Sequence, residues 1–391
     1  MSDDAVQLDP VMPGALLGVL GGGQLGAMFA VAARRMGYRV AVITDTQECP
    51  AARHADRLHV GSYDDPAFLA QAAEGLSVVT FEFENVPAAA GEALKAAVPV
   101  RPHPEVLFTT QSREREKAFL VERGIPCGRH AVVRTEEELR KAVENIGLPA
   151  VLKTAAFGYD GKGQRMLKET SDIHDAWVSL GELPCVLEEW IDFQCELSVV
   201  AARGLDGAVV AFPAIRNEHA NHILDVSSCP AELPVEVLGE AEHLAATVLS
   251  ELGVVGVACV EFFLAKDNRL LVNEIAPRTH NSGHLTIEAC PTSQFEQQVR
   301  AICGLPLGVT TFLAPAAMAN LLGDCWQSGE PMWEHVFSVP GAGLHLYGKA
   351  EPRPGRKMGH ITVTAKTTDE AKALVRQARQ GVQGKASLLG K

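Results

Sequence analysis

The sequence predicts an α/β protein whose later parts are α+β, on three observations. A strand–helix–strand unit opens the chain, apolar strand-like runs fill its middle, and short strands and turns ending in one helix close it. In the opening unit, the apolar run Leu16 to Leu20 leads into Gly21 to Gly23, and a helix runs from about Gln24 to Met36. Gly37 stops that helix, and a second strand covers Arg39 to Ile43. A later strand, Leu76 to Phe81, ends in the acidic corner Glu82-Phe83-Glu84-Asn85, and Pro99, Pro102 and Pro104 mark a boundary region. The middle region opens with a helix holding Arg113 to Arg123; Thr135 and Glu138 then form a capping-box pattern before a helix that ends at Gly147. Ala150 to Lys153, Val186 to Trp190, Leu197 to Ala202 and Val257 to Phe263 read as strands. From Gly308 the pattern turns to short strands, and Thr367 with Glu370 caps the last helix.

These changes of pattern divide the chain into 1–13, 14–112, 113–307 and 308–391. The first piece is acidic, lacks the basic start and apolar core of a secretory signal, and reads as a disordered lead-in. The second reads as a parallel-sheet domain and the last as a small β-rich domain. Over 391 residues the formal charge is −13, which disfavours a nucleic-acid partner. No apolar run approaches a membrane span. The nine cysteines are scattered, odd in number and without a Cys-x-x-Cys, so a disulfide framework and a zinc site are both disfavoured. Each reads as a small buried apolar residue in a reducing, cytoplasmic setting.

Two glycine-rich segments bear on phosphate binding. Gly21-Gly22-Gly23-Gln24-Leu25-Gly26 fits Gly-x-Gly-x-x-Gly between a strand and a helix, with Asp45 about where a ribose-binding acid sits in a dinucleotide site. A nucleotide monophosphate would satisfy such a turn as well as a nicotinamide dinucleotide, and a tight turn without ligand remains an alternative. The second segment, Gly158-Tyr159-Asp160-Gly161-Lys162-Gly163-Gln164, follows Lys153 at the end of a strand. Its glycines let backbone approach phosphates and its lysines offer charge; the alternative is a plain Asp-Gly hairpin. Glu188-Glu189-Trp190-Ile191 has the character of an adenine-binding hinge, with Glu196 beyond it for ribose hydroxyls; an edge strand with solvated acids is the competing reading.

The strongest signal lies in Val257 to Glu274. With Asp267-Asn268 as a two-residue hairpin loop, Lys266 faces Arg269 and Glu261 faces Glu274, their Cβ atoms about 4.5–5.5 Å apart inside apolar strands. A divalent cation relieves that like-charge opposition, and Mg²⁺ held by one or two carboxylates and phosphate oxygens is the usual arrangement, with Asn273 adding an oxygen. The alternative is a longer loop with one glutamate in solvent. The polar loop that follows contains Arg278, whose planar fork suits a small oxyanion, and His280, which can donate a hydrogen bond or move a proton. Near the C-terminus, Tyr347 to His360 is locally basic, with Lys349, Arg356 and Lys357 placed for a phosphate monoester, or else forming a solvated loop.

In order, these segments resemble the ATP-grasp superfamily and, within it, the ATP-dependent carboxylases that act on aminoimidazole ribonucleotide. The resemblance implies an ATP-grasp fold with a Rossmann-like N-terminal domain and a small β-rich C-terminal one, a carbon–nitrogen ligase of purine synthesis, and a cytoplasmic homodimer. It implies ATP at Arg113, Lys153, Gly158 to Gln164, Glu188 to Ile191, Glu196, His219, Asn273 and Glu274, and Mg²⁺ on Glu261 and Glu274. Bicarbonate or its phosphorylated form falls to Arg278 and His280, with Lys153 sharing the catalysis. The imidazole nucleotide falls to Gln24, Leu25, Glu82, Asn85, Tyr159, Lys349, Arg356 and Lys357, and the product passes to a separate mutase. A formate-using transformylase and a biotin carboxylase are the nearest alternatives, and a dehydrogenase built on the first glycine turn is a more distant one.

Overall fold

The computed structural model describes residues 9–156 and 163–382. Strands β1 (Leu16–Leu20), β2 (Arg39–Thr44), β3 (Arg57–Val60) and β4 (Val78–Phe81) form a parallel sheet in the order β3-β2-β1-β4. β1 and β4 are buried along their whole length, as unbroken apolar runs in a covered parallel sheet require. Winding reverses between β1 and β4. Their carboxyl ends therefore open a crevice, where the Gly21 turn meets the Glu82 corner.

A second, antiparallel sheet is built from β5 (His130–Val133), β6 (Ala150–Thr154), β7 (Gln164–Leu167) and β8 (Cys185–Glu189), ordered β5-β8-β6-β7. The third and largest sheet holds β9 (Phe193–Arg203), β10 (Val209–Ala211), β11 (Ile215–Ala220), β12 (Ile223–Cys229), β13 (Gly256–Ala265), β14 (Leu270–Ala276), β15 (Ala316–Leu322), β16 (Ala342–Leu346) and β17 (Lys357–Thr364). Its order is β14-β13-β9-β11-β12-β15-β17-β16, with β10 paired to β9.

The expected helix caps form. Thr135 Oγ1 accepts the Glu138 N–H at 3.1 Å, and Thr367 Oγ1 accepts that of Glu370 at 3.1 Å. The C-terminal strands prolong the central sheet, β15 pairing with β12. Two expectations need correction. The helices Val235–Glu251 and Gln294–Cys303 stand where strand-like runs were read as dominant. Valines at 235, 237 and 248 favour strand locally, but Ala241, Ala245, Val248 and Leu249 make a buried stripe at helical spacing. Part of the lead-in is tied down: Val11 N–H donates to the Cys303 carbonyl at 2.8 Å, and Tyr38 Oη donates to the Val11 carbonyl at 2.7 Å.

Gln298 joins the first sheet to the third. Its Oε1 accepts the Val257 N–H at 2.5 Å and its Nε2 donates to Thr80 Oγ1 at 2.7 Å, both in the interior. Packing in the first sheet is equally tight. A Cβ at Gly18 would lie 2.8 Å from both Leu76 Cδ1 and Val79 Cγ2. Gly18→Ala is therefore expected to lower unfolding free energy by about 1–3 kcal/mol, read from the urea midpoint at unchanged m-value.

Candidate active site

A cleft of about 980 Å³ lies between the β5–β8 sheet and the large sheet. Arg113, Lys153, Gln164, Glu188, Glu189, Trp190, Ile191, Glu196, His219, Glu261, Asn273, Glu274, Arg278, His280 and Lys357 all line it. Residues proposed for ATP, metal and bicarbonate thus converge from two sheets and the loop after β14.

Glu261 and Glu274 do face each other, but by a different route from the one expected. The hairpin loop covers residues 266–268, with Ala265 N–H donating to the Arg269 carbonyl at 2.9 Å and Asn268 left-handed at φ 66°. Lys266 therefore does not face Arg269; it pairs with Asp192 at 3.0 Å. Leu264↔Leu270 and Phe262↔Val272 run one residue out of the expected register, and the shift next to Glu261 leaves Asn273 as an extra residue. This bulge restores Glu261↔Glu274 and brings Asn273 to the cleft as well. Asn273 Oδ1 is buried with no hydrogen-bond partner among the described residues.

The like-charge conflict is met by a separate cation on each acid. Arg113 lies 3.5 Å from Glu274, and His280 Nε2 lies 3.0 Å from Glu261. Burial alone would raise the Glu261 pKa, but His280 and then His219 hold it down at about 2. Burial disfavours the His280 imidazolium, yet Cys259 and the Glu261 carboxylate outweigh it and raise the pKa to about 10. Glu196 likewise pairs with His219, at 2.7 Å, and outweighs burial to raise the pKa of that ring.

Lys153 meets Glu188 at 3.1 Å, and burial lowers the lysine pKa. Glu188 is only 7 % exposed, and its carboxyl stays at about 2 against burial because Lys153, Lys117 and Arg113 surround it. It belongs to β8, which pairs with strands on both sides, so the reading of an edge strand with solvated acids does not hold. Glu189 instead faces Arg129, accepting its backbone N–H at 2.8 Å. Trp190 N–H reaches the Pro149 carbonyl at 3.2 Å.

Arg278 is bound through Nε to Glu84, and its Nη1 donates to the Thr279 carbonyl at 3.0 Å. Glu84 sits in the corner after β4, so the first domain orients this guanidinium.

Other expected residues lie elsewhere. Gly158, Tyr159, Asp160, Gly161 and Lys162 fall outside the described residues, while Gly163 accepts the Thr154 N–H through its carbonyl at 2.8 Å. At the first glycine turn, the N–H groups of Gly23 and Gly26 donate to the Glu82 carboxylate, the latter at 2.8 Å. Glu82 is 8 % exposed, and its carboxylate anchors the turn by taking these two donors. Leu25 is buried and Gln24 half-buried beside it. Asn85 borders a smaller recess with Arg113, Glu274 and Arg278. Of the basic cluster, Lys357 reaches the main cleft; Lys349 donates to the Lys357 carbonyl at 2.7 Å, and Arg356 to that of Glu351 at 2.9 Å.

Sequence reasoning missed Lys117 and Glu116, and took Glu84 only as part of the corner expected to meet the imidazole nucleotide, not as the partner of Arg278. Lys117 is 1 % exposed, donates to the Asn273 carbonyl at 2.8 Å and lies 3.7 Å from Glu188. Glu116 accepts the Ile275 N–H at 2.9 Å. Adjacent charges on a helix, Glu116-Lys117, look like a solvated face; only their burial against β14 reveals a site.

Comparison with known proteins now decides the family. Residues 15–111 match the ribonucleotide synthetase preATP-grasp domain, 118–295 the ATP-grasp domain, and 316–374 the phosphoribosylaminoimidazole carboxylase C-terminal domain. An N5-carboxyaminoimidazole ribonucleotide synthase from Bacillus subtilis is 44% identical over 92% of this chain and 94% of its own. The chain belongs to the N5-carboxyaminoimidazole ribonucleotide synthase family. It is thereby an ATP-dependent ligase of purine biosynthesis with the ATP-grasp fold. The family synthetase from Thermus thermophilus superposes at TM-score 0.87, with 38% identity over 96% of this chain and 100% of that one. The synthase from Aspergillus clavatus, solved with ADP and 5-aminoimidazole ribonucleotide, superposes at 0.86, with 32% identity over 94% and 98%. The transformylase, biotin carboxylase and dehydrogenase alternatives are not favoured.

Burial, reinforced by Glu274 and opposed by Lys117, raises the Glu116 pKa from 4.5 to about 7. The folded state therefore keeps this proton longer than the unfolded one, and the associated stability is lost as pH rises from 4.5 to 7. Glu116→Gln should remove that decline, seen as a wild-type-minus-variant difference in unfolding free energy that falls across this window.

Proposed function

We propose that the cleft carboxylates the exocyclic amine of 5-aminoimidazole ribonucleotide with bicarbonate and ATP, giving N5-carboxyaminoimidazole ribonucleotide, ADP and phosphate. The observation that supports this most is that Lys153 from the β5–β8 sheet and the Glu261–Glu274 pair, Arg278 and His280 from the large sheet and the loop after it line one cleft. The Aspergillus clavatus synthase, solved with ADP and 5-aminoimidazole ribonucleotide, holds the nucleotide product and the acceptor that this reaction requires.

ATP lies with its adenine against Glu189 to Ile191, its ribose at Glu196 and His219, and its phosphates toward Arg113, Lys153, Gly163 and Gln164. Glu261, Glu274 and the unpartnered Asn273 Oδ1 are a hard oxygen donor set that fits Mg²⁺. When bound, Mg²⁺ supplies charge neutralisation at the phosphate oxygens. Lys153 adds positive charge where the γ-phosphoryl group transfers, a reaction that needs positioning and charge rather than a protein nucleophile. Arg278, oriented by Glu84, holds the bicarbonate oxygens, and His280 donates to the same anion. A carboxylate oxygen of bicarbonate attacks the γ-phosphorus and displaces ADP, giving carboxyphosphate that keeps the bicarbonate proton. Carboxyphosphate then breaks down within the cleft to CO₂ and protonated phosphate, and the amine attacks the CO₂ carbon to form the N-carboxylate, its proton passing to the released phosphate.

The imidazole nucleotide occupies the crevice at the carboxyl ends of β1 and β4, near Gln24, Leu25 and Asn85, with Lys349, Arg356 and Lys357 around its phosphate. The reading includes a homodimer, a reducing cytoplasm that suits nine free thiols, and a separate mutase that consumes the product. No helix among the described residues is long and apolar enough to cross a membrane.

Glu274→Gln should lower phosphate release by about 100-fold or more, with an unchanged far-UV spectrum. The wild-type chain should release ADP in bicarbonate buffer only when the imidazole nucleotide is present. Undiminished phosphate release by the variant would remove the metal assignment, and ADP release indifferent to the nucleotide would remove the acceptor.

A further inference from the structure

Four small polar side chains run through the interior of the large sheet, and one of them, Asn217, also lines the cleft. Ser227 Oγ donates to Asn217 Oδ1 at 2.8 Å, Asn217 Nδ2 donates to Ser198 Oγ at 2.9 Å, and Ser198 Oγ donates to Ser282 Oγ at 2.8 Å. Ser282 Oγ then lies 2.8 Å from His280 Nδ1. Ser198, Ser227 and Ser282 have no exposed surface, and Asn217 has 5 %. The row follows the strand register: Ser198 on β9 is directly opposite Glu261 on β13, and Asn217 on β11 is directly opposite Ser227 on β12.

Polar side chains in such a place are costly unless fully paired, and apolar residues of similar size would fill it at less risk. Packing alone therefore does not account for them. Their common end-point is the one ring nitrogen of His280 that does not face Glu261. Nε2 of that ring meets Glu261, Nδ1 meets Ser282, and the Cys259 thiol lies against it. Once Glu261 turns to a cation, the Ser282 contact is the tether that still fixes Nδ1.

We propose that Ser198, Asn217 and Ser227, acting through Ser282, are positioning residues that fix the His280 ring for its contact with the reacting anion. The catalytic part of this rests on the role given to His280 above; the tether itself does not. The three serines stand outside the cleft lining, and only Asn217 reaches it. It holds Ser282 in place by occupying each of its neighbours' donors and acceptors, so that the imidazole is found in one orientation with or without the Glu261 contact.

The test uses the full chain. Ser198→Ala should lower kcat by about tenfold, as expected for a small displacement of a catalytic group, with KM for ATP within about twofold of wild type. Ser227→Ala, two links further from Ser282, keeps the question open to test should Ser198→Ala fail to fold, and should lower kcat by less. The ¹H–¹⁵N resonances of the His280 ring, assigned by their loss in His280→Asn, should shift or broaden in both serine variants. In the His280→Asn background Ser198→Ala should cost nothing further, because the row acts through the ring. Unmoved ring resonances, or an equal loss of kcat in that background, would overturn the tether. His280→Asn at wild-type turnover would instead overturn the role given to His280, and the catalytic part of the proposal with it.

Discussion

Charge in a confined cleft has to be matched at close range, and that constraint organises this protein. Glu188, Glu261, Glu274 and Glu84 approach one space from three parts of the chain, and each has a cation beside it: Lys153, His280, Arg113 and Arg278. Removing a charge from water is expensive, and only partners placed by the fold make it tolerable. The same pairs leave the cleft ready for exchange. A cation bound by the carboxylates, or an anion bound by the lysine and arginine, replaces a partner already present rather than burying a new charge.

The three sheets contribute differently to that arrangement. The β5–β8 sheet supplies Lys153 and Glu188, with Glu189 at the strand end. The large sheet supplies Glu196, Glu261 and Glu274 at neighbouring strand positions. The first domain supplies Glu84, which turns Arg278 toward the space between them, and Gln298 stitches that domain to β13. Residues of all three sheets thus meet around the proposed anion position, as a reaction that joins ATP, bicarbonate and a nucleotide demands.

The bulge at Asn273 shows how local backbone serves chemistry. A regular hairpin with this three-residue loop would place Asn273, not Glu274, opposite Glu261. One extra residue restores the acidic pair and also presents an amide oxygen with no protein partner among the described residues. The first glycine turn shows the reverse case, a motif whose donors are consumed within the protein. Its N–H groups face Glu82, so the turn stabilises the crevice wall.

The sequence by itself determined much of this. Strands β1, β6, β8, β13 and β14 were legible as bounded apolar runs, the helix starts at Thr135 and Thr367 as capping boxes, and the acidic pair as two glutamates in apolar strands. These are short-range patterns, in which residues a few places apart decide burial and hydrogen bonding. Tertiary structure alone decided what depended on distant partners. Lys117 and Glu116 became site residues because β14 covers them, Glu82 became an anchor because the glycine turn lies beside β4, and the C-terminal strands joined the central sheet because β12 left an edge free. The helix Val235–Glu251 belongs to the same class: its valines suit a strand, and only the apolar sheet beneath its buried stripe made the helix the lower-energy choice.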